Sequence, residues 1–254
     1  MGKKSQHVKQ TKHKQTPNLN RKQIELHSQI EYLLRLTTQA PNPNVLKELE
    51  AIREIDQVLQ KIRKLEKRVD DEFVVDTKRR CDGAVIERFT TWLSENGALF
   101  EGISIGEFAG YDLGLKAEID IPEASLIIAV PRKLMFTIES MKKTSPIGIL
   151  GTDAILENMP NVALSMFLLL EKFSDDNSFW KPYLDILPTF YTTVLYFNVD
   201  ELEKLTGSPT LKTALNQIKN IARQYAYFHK LIHAAKDDSA CETLRKRFTY
   251  KEYW

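Results

Sequence analysis

The chain has 254 residues, 43% of them hydrophobic, and a formal net charge of +2. That balance supplies a core and excludes the strong overall field with which nucleic-acid and membrane-surface proteins gather their partners. Two cysteines, Cys81 and Cys241, suit free thiols in a reducing compartment better than a disulfide framework. No apolar run approaches the ~20 residues that span a bilayer. The opening Met-Gly-Lys-Lys-Ser-Gln has Gln6 where a myristoylation motif needs Ser or Thr. The expectation is a cytoplasmic protein, with nuclear presence open, that binds neither nucleic acid nor membrane.

Residues 1–20 carry Lys3, Lys4, Lys9, Lys12 and Lys14 with almost no apolar side chain, and read as a solvated basic tail. A helix is predicted over 21–39, with Ile24, Ile30, Leu33 and Leu34 on one side. Ala40-Pro41-Asn42-Pro43-Asn44 breaks it. A second helix over 45–69 sets Leu49, Ile52, Ile55, Leu59, Ile62 and Leu65 three or four apart. Barely three heptads beside a proline-broken partner argue for an antiparallel hairpin rather than a coiled-coil dimer, and for a monomer. A polar link follows. Then 83–97 reads as a short helix through Val85, Ile86, Phe89, Trp92 and Leu93, stopped by Asn96-Gly97.

From Leu99 the period changes. Ile103, Ile105, Leu113, Leu115, Ile119, Ile121 and the run 126–130 predict a small β-meander, with 134–141 leading back to helix. The stretch 161–197 is the most apolar. Val162, Leu164, Met166, Phe167, Leu169 and Leu170 leave polar room only at Ser165 and Glu171, and Phe179, Trp180, Tyr183, Leu184, Ile186 and Leu187 build a second turn before Pro188. A helix start is expected at 199–202 with Asp200 as its cap, then a long helix over 210–235. The closing Phe248-Thr249-Tyr250-Lys251-Glu252-Tyr253-Trp254 starts one more helix and leaves an exposed aromatic end.

Catalytic motifs are scarce. There is no Walker string, no G-x-G-x-x-G and no nucleophile elbow. His229, His233 and Asp237 recur at i, i+4 and i+8, a spacing that can hold a metal, but nothing nearby completes such a site and none is expected. Arg223, in Arg223-Gln224-Tyr225-Ala226-Tyr227-Phe228, reads equally as a packed stem with a paired head or as a cation that orients a peptide.

Several words of the sequence carry a resemblance. Trp92-Leu93-Ser94-Glu95-Asn96-Gly97 and Ser178-Phe179-Trp180-Lys181-Pro182-Tyr183 resemble the SET-domain methyltransferases of the Rubisco large-subunit type. Val75-Asp76-Thr77-Lys78-Arg79, Gly114-Leu115-Lys116-Ala117, Val130-Pro131-Arg132-Lys133-Leu134 and, most narrowly, Ala222-Arg223-Gln224-Tyr225-Ala226-Tyr227-Phe228 resemble the actin-histidine N-methyltransferase group within it. That resemblance implies methyl transfer from S-adenosyl-L-methionine to a histidine of actin. It places the donor on Arg79 and on the turn Tyr111-Asp112-Leu113, and the actin segment on Arg223. Asp112 takes the place of a glycine in that turn, so its carboxylate could meet the amino group of the donor.

The fold class expected is therefore α+β. It comprises the basic tail (1–20), a helical hairpin (21–69), the N-terminal part of a SET domain with its β-meander (70–135), and a large helical insert (136–254). The family's Asn-His motif and pocket tyrosine find no match before Trp254, so the reading is of an N-terminal fragment, inactive alone and with no catalytic residue of its own. A SET-class protein-lysine N-methyltransferase and a non-catalytic actin-binding module are the alternatives.

Overall fold

The computed structural model describes residues 21–70, 80–140, 148–174, 178–188 and 191–254, with side chains described to residue 66 in the first stretch. The expected tail, most of the polar link and Arg79 lie outside the described residues. The two predicted N-terminal helices are present as α1 (Arg21–Thr38) and α2 (Val45–Asp70). They pack on each other as a hairpin and lie on a long helix near the other end of the chain, α8 (Pro209–Ala234). Ile30 and Leu33 of α1, and Ile52, Ile55 and Ile62 of α2, are almost wholly buried there. Each stripe has the helical period, and tertiary burial of such stripes supplies most of the stability of helices in proteins.

Helix α3 (Gly83–Glu95) starts on Asp82, whose carboxylate accepts the Ala84 N–H. It ends in a Schellman turn. Ala98 N–H donates to Leu93 O at 3.0 Å and Gly97 N–H to Ser94 O at 2.9 Å, with Gly97 at φ +85°. Glycine alone takes that left-handed conformation without strain, so the stop predicted at Asn96-Gly97 is an obligatory one.

The predicted meander is not one sheet. Strands β1 (Leu99–Phe100) and β4 (Ile128–Ala129) form one antiparallel pair, and β2 (Ile103–Phe108) and β3 (Asp112–Ala117) form another. Ile119 and Ile121, read as strand, lie outside both ladders. The β2–β3 ladder ends where Gly102, at φ +70°, turns the chain and the Ile119 side chain lies over it, so close that a Cβ there would meet it at 2.6 Å. Pro122 then offers no N–H, and Ala124, at φ +61°, sits in the turn that follows. Leu99, Leu115, Ile119 and Leu126 stay exposed. After Pro131, a short 3-10 turn at Arg132–Leu134 comes first, and the expected return to helix follows at residues 138–140.

The apolar stretch forms α5 (Pro160–Phe173), preceded by the short α4 (Ala154–Asn158) and followed by α6 (Lys181–Ile186). One side of α5, with Val162, Met166 and Leu169, joins the core of the hairpin and α8. The other side sends Phe167 into an aromatic cluster with Trp92, Ala98, Leu134 and Trp180. Phe136 stacks on Phe167 at 4.6 Å and meets Trp180 edge-on at 5.0 Å. Of the two polar positions expected, Ser165 faces solvent but Glu171 is buried, its carboxylate accepting the Ser178 hydroxyl.

The cap of α7 (Val199–Glu203) is Asn198, not Asp200. Asn198 Oδ1 accepts the Glu201 N–H at 3.0 Å and Glu201 returns a carboxylate to the Asn198 N–H at 2.8 Å. This reciprocal capping box satisfies two orphan donors and displaces the cap two residues toward the N-terminus. The aromatic end is also corrected. After α9 (Ser239–Arg247), Phe248 and Tyr250 are buried, and α10 (Tyr250–Tyr253) packs on α2 and α5. Phe248 and Tyr250 sit 5.6 and 5.2 Å from the ring of Tyr225.

One ion pair inside this core is nearly dry. Lys219 Nζ lies 2.8 Å from Glu48 Oε1, with side-chain exposures of 5% and 6%. Glu48 Oε2 also accepts the Asn42 N–H at 2.6 Å, which ties down the α1–α2 connection. Lys219→Met should cost about 3 kcal/mol, because it leaves a buried carboxylate unpaired. Adding Glu48→Gln should recover part of the loss, as read from urea midpoints.

Candidate functional site

The turn at Tyr111-Asp112-Leu113 closes the β2–β3 hairpin. Phe108 faces Asp112 as the last pair of the ladder, and Tyr111 N–H donates to Phe108 O at 2.9 Å. Gly110 has φ +78° and Asp112 φ +64°. Asp112 therefore holds the left-handed conformation that a glycine would supply, at a cost that Asp bears better than most residues. Below the turn Gly106 faces Gly114, and the Phe108 ring lies over Gly114 so closely that a Cβ there would meet it at 3.0 Å. Tyr111 is 86% exposed, so the outer side of the turn is open.

The carboxylate of Asp112 is engaged by residues from across the fold. Cys81 Sγ donates to Asp112 Oδ1 at 3.1 Å, and Arg80 Nη1 lies 3.5 Å from Oδ2. The structure thus brings Arg80 and Cys81 against the turn; Arg79 itself lies outside the described residues. Sequence reading overlooked Arg80 and Cys81. The only signal for them was their adjacency to Arg79, since the partner carboxylate is 31 residues away. Arg80 Nε is buried with no acceptor among the described residues. A donor N–H held in this way has lost its water and stands ready for an anionic oxygen.

Arg223 stands elsewhere. It lies on the exposed side of α8, where its Nη2 donates to Asn220 Oδ1 at 2.8 Å. The principal packing partners of α8 are α1, α2, α9 and the turn at Val194–Tyr196, and not the β2–β3 ladder. The rest of its motif serves the core. Tyr225, Ala226 and Phe228 are fully buried, and Gln224 Oε1 accepts the Tyr253 hydroxyl at 3.2 Å. Tyr225 donates its hydroxyl to the buried Glu66 carboxylate; burial first, and then that carboxylate, raise the phenol well above its usual range. Tyr227 donates to Asp153, the cap of α4, and that hydrogen bond is the main reason its phenol is pushed up to about 12.

The histidine spacing does not continue along one helix. Helix α8 ends at Ala234, so Asp237 is off the helix, and among the described residues no group of three or more metal-ligating side chains occurs. The His229 and His233 rings stack instead, with centroids 4.3 Å apart. His229 is 6% exposed and its Nδ1 has no partner; burial, then the neighbouring His233, lowers its pKa to about 3.

Solved structures share this architecture. One of Rubisco LSMT bound to sinefungin and monomethyllysine matches with TM-score 0.55 and 24% identity, over 66% of this chain and 38% of that one. The SET domain of LSMT bound to lysine and AdoHcy matches with TM-score 0.50 and 23% identity, over 67% and 36%. No family profile matches the chain. Among curated proteins, the actin-histidine N-methyltransferase of Canis lupus familiaris is 38% identical over 223 residues, 88% of this chain and 36% of that protein. The Homo sapiens protein of that name is 39% identical over the same shares. The chain thus spans little more than a third of the length of the relatives it matches.

The low pKa of His229 makes a sign-definite prediction. The unfolded chain binds this proton near pH 6.5 and the folded chain refuses it until about pH 3. Stability is therefore complete above pH 6.5 and falls as the pH drops, by about 2 kcal/mol at pH 5. Urea titrations at pH 7 and pH 5 should show the loss, and His229→Gln should flatten it.

Over 88% of its length the chain is similar in sequence, at 38–39% identity, to curated actin-histidine N-methyltransferases, and its helices and small antiparallel ladders share the fold of part of Rubisco LSMT.

Proposed function

We propose that this polypeptide supplies the donor-holding turn and helical body of a protein N-methyltransferase that uses S-adenosyl-L-methionine to methylate a histidine of actin in the cytoplasm. The observation that carries the reading is identity of 38–39% over 88% of the chain to proteins of that name. A solved neighbour, Rubisco LSMT, is described bound to AdoMet.

The turn fits such a donor. An arginine N–H buried without an acceptor suits its carboxylate, and a left-handed turn with an open outer side lets backbone approach it. Arg80, beside the sequence-predicted Arg79, would hold the carboxylate, and the backbone of Tyr111-Asp112-Leu113 would line the donor. S-adenosyl-L-methionine, when bound, supplies a sulfonium methyl group open to in-line attack by a neutral imidazole nitrogen. The part played by this chain is to position the donor and exclude water around it. Arg223, whose head is exposed and donates to Asn220, would take the actin segment.

A lysine acceptor is the second reading, favoured by the lysine and monomethyllysine in the solved neighbours. Labelled S-adenosyl-methionine would be presented with an actin peptide to this polypeptide and to the longest product of its gene. Label on the peptide that vanishes when its histidine becomes glutamine carries the histidine reading. Label on lysine alone carries the second, and peptide binding without transfer by either product leaves an actin-binding module. Arg223→Ala should weaken peptide binding about tenfold, the scale of one charge-assisted hydrogen bond. It should leave the melting temperature within about 2 °C, because the side chain is solvated.

A further inference from the structure

The segment before α3 and the β2–β3 turn are distant in sequence, and the Asp112 side chain joins them. Both oxygens of Asp112 are used: Oδ1 by the Cys81 thiol at 3.1 Å and Oδ2 by Arg80 at 3.5 Å. The backbone there, at φ +64°, asks for glycine. A carboxylate at such a position has a conformational cost, and the contacts it gains are these two. The remaining contact between α3 and the hairpin is apolar and imperfect. Phe89 and Leu93 face Ile105 and Leu115 around a cavity of about 130 Å³. Apolar packing of that kind holds elements together but fixes neither register nor orientation closely.

We propose that Asp112 is a positioning residue. Its carboxylate clamps the Arg80–Cys81 segment onto Tyr111-Asp112-Leu113, so that the two pieces of chain that hold the donor are aligned before the donor arrives. The clamp rests on the donor-site reading given above, and it adds a device that a glycine in this turn could not provide. Holding both pieces in advance reduces the ordering cost of binding.

The two thiols make this measurable without a ligand. Cys241 is fully buried and serves as an internal reference, while Cys81 is partly exposed at the clamp. A neutral reagent, N-ethylmaleimide, is itself neither attracted nor repelled by Arg80, and rates taken over a pH series separate access to Cys81 from its thiolate fraction. Asp112→Asn and Asp112→Gly both tolerate the left-handed backbone, so the turn should survive. Asp112→Gly and Arg80→Gln should each speed Cys81 modification about fivefold, the scale of one partly buried ion pair. Asp112→Asn, which keeps an acceptor for the thiol, should fall between these and the wild type. Arg80→Lys should restore most of the protection. The double variant Asp112→Gly/Arg80→Gln should react no faster than Asp112→Gly alone, because Asp112→Gly already removes the Arg80 contact along with that of the thiol. Unchanged rates, or effects that multiply, would overturn the clamp.

The donor is tested separately. S-adenosyl-methionine should slow Cys81 modification in the wild type, and Asp112→Gly should bind it about fivefold more weakly at an unchanged melting temperature. Equal or tighter binding by that variant would refute the positioning role. No protection in the wild type would remove the donor reading alone, because the ligand-free rates report on the clamp by themselves.

Discussion

Helix α5 is buried on both sides, and the rest of the molecule depends on that constraint. A helix apolar around most of its circumference cannot lie on a surface; it must be a wall shared by two cores. Val162, Met166 and Leu169 face the hairpin and α8, while Phe167 enters the aromatic cluster that seats α3 and α6. The cluster then fixes Trp92, and through Trp92 the helix that leads to Gly97 and the strands. Thus the sheet region, which carries the candidate donor turn, is referred to the helical body through Phe167, Trp180 and Phe136 rather than through a sheet of its own. Two ladders of two strands are marginal without such a support.

Polar groups set the register that apolar burial leaves loose. On α2, Glu48 pairs with Lys219 and Glu66 accepts from Tyr225, so both carboxylates reach α8. Glu66 also takes the Tyr250 N–H at 3.1 Å, which brings the C-terminal segment back onto the same helix. Of the four closing aromatics, Phe248 and Tyr250 are thereby inside, and Tyr253 and Trp254 are half-buried. A buried carboxylate is costly to leave alone, and this one is surrounded by donors. That arrangement rewards a single seating of α10 over the alternatives.

The elements that sequence reading found best are those whose pattern is local. The stripes of α1 and α2, the proline break between them and the Asn96-Gly97 stop depend on residues within a turn or two. The failures all depended on distant partners or on competition between neighbours. Ile119 and Ile121 alternate like strand residues, but β1 pairs with β4 and leaves them no ladder. Asp200 is a fair cap in isolation, yet Asn198 with Glu201 makes the better one. Glu171 looked solvated because nothing local shows that Ser178 returns to it. Regarding the candidate site, resemblance located the turn and Arg223, but Arg80 and Cys81 could be found only by seeing which residues a carboxylate 31 positions away would meet.

The same motif shows why a sequence word can hold two functions at once. Within Arg223-Gln224-Tyr225-Ala226-Tyr227-Phe228, helical geometry turns Tyr225 and Phe228 inward and Arg223 outward. The buried members position α8 against Glu66 and the C-terminal aromatics, so their identity is set by packing. Arg223 contributes little to that packing, and its guanidinium donates to a neighbour on its own helix. Its residue type is therefore free to answer to something outside the fold, whereas Tyr225 is not. Exposure beside a rigid, fully packed stretch gives a guanidinium a fixed base and a mobile head. That combination suits recognition of a peptide, because the backbone beneath it is already ordered before binding.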